Sequence, residues 1–184
     1  ASGHLVISNC VNNGNTANVH GGPKGSGTGV CVAGGFAAYT QGNAEVLIVD
    51  CVNNGDITST QTDAGAAGTC EAGAFITELT SSETVLIKNC VNTGAITADG
   101  TAKAAQGAWA GAIIAKMASG AVTLDNVTND GAVTATPGEG GAAKVGAFVA
   151  NNTAFNEETG KGLTLTLGQV LTSLDLAPFG NEVA

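Results

Sequence analysis

Four short apolar runs recur along the chain at nearly even spacing: Leu5-Val6-Ile7, Val46-Leu47-Ile48, Val85-Leu86-Ile87 and Val122-Thr123-Leu124. Each leads into a polar corner of one design. The corners read Cys10-Val11-Asn12-Asn13-Gly14, Cys51-Val52-Asn53-Asn54-Gly55, Cys90-Val91-Asn92-Thr93-Gly94 and, more loosely, Val127-Thr128-Asn129-Asp130-Gly131. Corresponding positions lie about 41, 39 and 37 residues apart, a period that marks a solenoid. After each corner comes a short extended piece at Thr16, Ile57-Thr58, Ile96-Thr97 and Val133-Thr134, then a variable stretch of small residues. A glycine-alanine segment closes the repeat: Ala33-Gly34-Gly35-Phe36, Ala72-Gly73-Ala74-Phe75, Ala110-Gly111-Ala112-Ile113 and Val145-Gly146-Ala147-Phe148. The pattern predicts three short strands and one long loop per repeat, wound into triangular coils.

No single repeat can bury its own apolar face, so neighbouring repeats must stack. The expected fold is all-β, a right-handed parallel β-helix (β-solenoid) of about four to five coils with ~37–41-residue repeats. It forms one domain over residues 1–184, with coils at about 4–43, 44–83, 84–120 and 121–160 and a partial coil at 161–184. Segment 18–28, with its run of glycines, reads as a surface loop. The alanine-rich stretch 102–117 reads as loop then strand, because Gly107 and Gly111 interrupt any helix.

The aligned corners carry a specific expectation. Asn12, Asn53, Asn92 and Asn129 each stand two residues before a glycine (Gly14, Gly55, Gly94, Gly131). That glycine is expected to supply the positive φ of a tight turn. Stacked in register, the four amides would form a hydrogen-bonded ladder along the axis.

Both ends read as uncapped: the chain opens on a strand-forming repeat, and Leu163, Leu165 and Leu167 alternate with threonine near its close. Exposed strand edges recruit further strands. End-to-end association is therefore expected, with Leu5 and Ile7 meeting Leu163 and Leu165 across the junction. The partner is a second copy or the neighbouring repeats of a longer protein, of which this chain reads as a processed or partial product.

Composition narrows the function classes. Glycine supplies 28 of 184 residues and aromatics only 4%, which suits a narrow coil interior. The formal charge is −9, from 15 acidic residues against 6 lysines and no arginine. Phosphate backbones are gripped by basic side chains, so nucleic acid is not an expected partner. No apolar run approaches the roughly 20 residues of a membrane-spanning helix.

Five cysteines fall into two columns: Cys10, Cys51 and Cys90, and Cys31 with Cys70. Coils about 4.8 Å apart fit the Cα separation of a disulfide. A Cys31–Cys70 bridge and one from the first column stand against the alternative of buried thiols. Any bridge places the protein in an oxidising compartment.

No motif demands a reaction, and the expectation is a chain with no catalytic, metal or cofactor site. Asp50 aligns with Asn9, Asn89 and Asn126, and Asp125 neighbours that row. A carboxylate pair for polysaccharide cleavage is weighed against plain turn residues, and the turn reading is preferred. His4 and His20 lie at a terminus and in a loop. Asp56, Asp63 and Asp130 sit at corners without a calcium-loop pattern. Segment 21–29 resembles a phosphate loop in glycine content alone. Thr58, Thr97 and Thr134, with Thr60 and Thr136, form columns that an ice-binding face uses and that strand propensity also explains. Asn126 and Asn151 begin glycosylation sequons. Tyr39 and Trp109 are the aromatics available to a glycan-binding face.

In 9–16, 50–58 and 89–97 the chain resembles GLUG-type repeats, whose pattern is Asn-Cys-x-Asn-x-Gly-x-Ile-Thr followed by a Gly-Gly-aliphatic segment. Segment 32–39 is nearest to the second half, although Ala38, Thr77, Ala115 and Ala150 replace a glycine there. The resemblance implies a parallel β-helix with a non-catalytic, adhesin-like role at the cell surface or outside the cell, and self-association or glycans as its partners.

Overall fold

The computed structural model describes residues 3–20, 30–40, 45–62, 68–80, 84–118, 121–152, 164–167 and 170–172. These residues form a parallel β-solenoid of about 3 turns. Every strand pairing is parallel, and the register lays like over like. Val46 faces Val85, which faces Val122, while Ile48, Ile87 and Leu124 form the next column inward. The period-two alternation of the apolar runs sends these columns to the interior and leaves Leu47, Leu86 and Thr123 on the outer face.

Each repeat supplies strands to four sheets where the sequence predicts three. The first sheet takes His4–Ser8, Glu45–Val49, Thr84–Asn92, Ala121–Asn129 and Thr164–Leu167. The second stacks Thr16–His20, Ile57–Gln61, Ile96–Asp99 and Val133–Thr136. The third holds Cys31–Gly34, Thr69–Gly73, Gly107–Gly111 and Ala143–Gly146, and the fourth Ala37–Thr40, Ile76–Leu79, Ile114–Met117 and Val149–Asn152.

The extra sheet arises because the closing glycine segment bends instead of running on as one strand. A Cβ on Gly73 would stand 2.4 Å from the Ile76 carbonyl oxygen, and one on Gly146 would stand 2.0 Å from that of Val149. The chain therefore folds back within three residues, a path closed to any side chain. The next residues turn inward: Phe36 and Phe75 stack with ring centroids 5.2 Å apart, and Phe75 and Ile113 are fully buried. Each such side chain contributes roughly 1.5–3 kcal/mol on leaving water.

Two further expectations are corrected. Asn18 to His20 extend the strand Thr16–His20, because that strand pairs with Ile57–Gln61 and Asn18 Nδ2 donates to the Val32 carbonyl at 2.8 Å. The rest of that loop lies outside the described residues. The corner glycines do not supply positive φ. That conformation belongs to Asn9, Asp50, Asn89 and Asn126, at φ between 52 and 54, where a short polar side chain tolerates it. The glycines are needed for closeness: a Cβ on Gly55 would lie 2.0 Å from the Gly14 oxygen, and the same holds for Gly94 over Gly55 and Gly131 over Gly94.

Candidate functional site

The corner is bound together by side-chain amides that pass from coil to coil. Asn12 Nδ2 donates to Asn53 Oδ1 at 2.8 Å, Asn53 to Asn92 at 2.7 Å, and Asn92 to Asn129 at 2.7 Å. The second amide hydrogen of Asn53, Asn92 and Asn129 goes to the carbonyl of the glycine two residues on. All three asparagines are fully buried, so each amide carries its polar load without water. An outer ladder accompanies it: Asn89 Nδ2 donates to Asp50 Oδ1 at 3.0 Å and Asn126 Nδ2 to Asn89 Oδ1 at 2.9 Å. Asp50 is thus a ladder acceptor, while Asp125 pairs with Lys88 Nζ at 2.7 Å. The two carboxylates are engaged separately.

No disulfide joins the cysteines, so of the two alternatives left open the free-thiol one holds for Cys31 and Cys70 and for Cys10, Cys51 and Cys90. Cys31 and Cys70 do stand in register. In-register parallel strands keep their Cβ atoms about a strand spacing apart, wider than a disulfide takes. The thiols turn to carbonyls instead. Cys10 Sγ reaches Ser8 O at 3.3 Å, Cys51 reaches Val49 O at 3.2 Å, Cys90 reaches Lys88 O at 3.1 Å, and Cys31 reaches Asn18 O at 3.3 Å. Burial raises the Cys51 thiol and pushes Cys90 up to about 11, and the Cys31 hydrogen bond raises Cys70. Thiols so held are poor nucleophiles at neutral pH.

Of the two sequons, Asn126 is exposed but committed to the outer ladder. Asn151, the other candidate, is 2% exposed and accepts from Lys144 Nζ at 2.6 Å, so its side chain is turned into the protein. Thr58 and Thr97 stand half-buried beside exposed Thr134, in register on the second sheet, and Asp99 interrupts the neighbouring column between Thr60 and Thr136. His4 Nδ1 lies 3.1 Å from Glu45 Oε2 at the surface. Asp56 accepts from the Ala95 amide at 2.9 Å, and Asp63 and Leu163 lie outside the described residues. Leu5 is 37% exposed, Ile7 is half-buried against the core, and Leu165 is in register with Val122.

A second cluster gathers Tyr39, Trp109 and Asn151, each singled out separately in the sequence, with Glu71, Glu78, Lys116 and Lys144, which no motif joins to them. The sharp bends bring the third and fourth sheets together along a polar seam. One side of it stacks Val32, Glu71, Trp109 and Lys144. The other stacks Tyr39, Glu78, Lys116 and Asn151. Lys116 Nζ sits 2.6 Å from Glu78 Oε1 and 3.9 Å from Glu71 Oε1. The Trp109 ring lies under two ammonium groups, Lys116 at 5.5 Å and Lys144 at 5.6 Å from its centroid. Glu71 is fully buried, and among the described residues neither of its oxygens has a hydrogen-bond partner. Burial, only partly offset by Lys116 and reinforced by Glu78, pushes its carboxyl up to about 8. The site therefore favours the neutral form of Glu71. Tyr39 is raised by burial and then by Glu78 and Glu71.

No repeating pattern marks the cluster as a unit, because each coil contributes a different residue type to it. Only the stacking register brings them together. Among the described residues no group of three or more His, Cys, Asp or Glu is placed to hold a metal ion. No family model, no curated protein and no solved structure matches the chain.

Proposed function

We propose that the chain is a non-enzymatic, extracellular structural unit of the GLUG-repeat type that stacks end to end into a filament or surface fibre. On this reading it is a right-handed solenoid of four complete coils with ~37–41-residue repeats and the start of a fifth. The single observation that carries it is the apolar rim of the first strands, where Leu5 (37%), Val6 (59%) and Val11 (58%) are exposed. Their counterparts one coil on, Val46, Leu47 and Val52, are covered to a greater extent. Among the described residues the outer edge of His4–Ser8 pairs with no strand, and such edges recruit one. Asn12 repeats the logic in part: Asn53 and Asn92 each accept an amide hydrogen from the coil before, while Asn12 Oδ1 takes the Gly14 amide at 3.1 Å and has room for one more from a preceding coil. The added coil is a second copy or a neighbouring repeat of a longer chain. Electron microscopy of purified protein should show fibres, and Leu5→Lys with Val6→Lys should abolish them. Fibres that survive the double substitution would remove the stacking model.

A second reading, a glycan-binding surface module, is favoured by the placing of Tyr39 and Trp109 along one seam with Lys116, Lys144 and Asn151. Tyr39 is 46% exposed and offers a stacking face. Retention on a glycan array that is lost with Tyr39→Ala would favour it over the filament.

A further inference from the structure

We propose that Lys116 Nζ and the side-chain carboxyl of Glu78 condense into an intramolecular amide that staples two stacked coils, with Glu71 as the proton carrier. The two residues are Cα partners on adjacent parallel strands of the fourth sheet, Ile76–Leu79 and Ile114–Met117. Their backbones therefore cannot drift apart. The amine nitrogen already touches the carboxyl at 2.6 Å. Held pairs of this kind react as if at an effective concentration of about 10⁵ M or more.

The surroundings favour the neutral product. Side-chain exposure is 19% for Lys116, 9% for Glu78 and nil for Glu71. A pair kept from water pays for desolvating both charges, and condensation removes both at once. The remaining neighbours are the Trp109 face beneath Lys116, Tyr39 in register before Glu78, and Asn151 in register after Lys116, itself held by Lys144. Glu71 is otherwise unexplained. A fully buried carboxyl without a hydrogen-bond partner among the described residues weakens the fold, yet it lies 3.9 Å from the one nitrogen that must shed protons.

The step balances within the chain. The Lys116 ammonium passes a proton to the Glu78 carboxylate across their hydrogen bond, giving an amine and a neutral acid. The Nζ lone pair attacks Cδ of Glu78. Glu71, protonated because burial has pushed its carboxyl up to about 8, gives its proton to the departing oxygen and takes back the one released by Nζ. A C–N bond forms, a C–O bond breaks, one water leaves, and Glu71 ends as it began.

Intact mass spectrometry of the purified full chain tests this directly. The expected result is a mass one water below that of the sequence. A tryptic digest should then show no cleavage after Lys116 and a joined pair of peptides carrying Glu78 and Lys116. Lys116→Arg and Glu78→Ala should each restore the sequence mass. Glu71→Gln should slow closure at least tenfold after refolding, and closure of the parent chain should slow above about pH 8 as Glu71 ionises. A parent chain at its full sequence mass overturns the proposal. So does a water loss that persists in Lys116→Arg, or a loss of ammonia in place of water, which would point to Lys144 and Asn151.

Discussion

The asparagine corner and the seam between the third and fourth sheets are built by the same stacking, yet they use polar groups in opposite ways. At the corner every coil offers the same residue, so each buried amide of Asn53 and Asn92 meets a copy of itself and every hydrogen is placed. In the seam each coil offers something different, so Glu71 meets Trp109 and Val32, and its carboxyl is left to Lys116 at 3.9 Å. Identity between coils gives satisfaction. Difference between coils gives a titratable cluster with a buried carboxyl that has no hydrogen-bond partner among the described residues, the kind of place where chemistry is done.

The comparison is broken most forcefully at the corner. Asn92→Leu removes the acceptor of Asn53 and the donor to Asn129 and to the Gly94 carbonyl. Stranding buried polar groups of this kind should cost about 3–5 kcal/mol in denaturant unfolding. The same change at Asn12, which is part-exposed at the rim, should cost about 1 kcal/mol. Equal losses at the two positions would mean that the ladder is not a cooperative unit.

In the seam the expected signature is a pH slope. The Glu71 carboxyl is raised from 4.5 to about 8 in the folded chain, so the folded state binds the proton more tightly than the unfolded one. Its contribution is fully present below about pH 4.5, falls as pH rises, and is lost once pH passes about 8. Between those limits stability should drop by roughly 1 kcal/mol per pH unit. Glu71→Gln should flatten that slope in chemical denaturation run across pH, and a slope unchanged by the substitution would assign it elsewhere. The smallest effect belongs to the surface Lys88–Asp125 pair, where Lys88→Ala should leave the midpoint of denaturant unfolding almost unchanged.

The ladder was legible because Asn-x-Gly recurs with its spacing almost intact, and a parallel solenoid converts sequence period directly into spatial register. What the glycines do was not legible. Positive φ and close approach both select glycine, and only the distance from Gly55 to the Gly14 oxygen tells them apart. The left-handed residues were hidden in plain view at Asn9, Asp50, Asn89 and Asn126, where an aligned row of short polar side chains reads equally well as candidate carboxylates or as turns. The fourth sheet was missed because three residues of glycine and alanine look extended on paper, while the contact at Gly146 permits only a reversal. The cysteine columns were placed correctly in register, but register fixes Cα atoms and leaves the direction of a thiol to local carbonyls such as Val49 and Lys88.

The two ladders point in opposite directions along the axis. Inner amides hand their hydrogens toward later coils, from Asn12 to Asn129, while outer ones hand them back, from Asn126 to Asp50. Their side-chain dipoles therefore run in opposite senses along the axis. The two faces of the stack nonetheless carry unlike patterns of donors and acceptors. Mating two first-coil faces would set acceptor against acceptor at Asn12. Growth of such a rod would have a sense of direction, head always to tail, written in amide hydrogens alone.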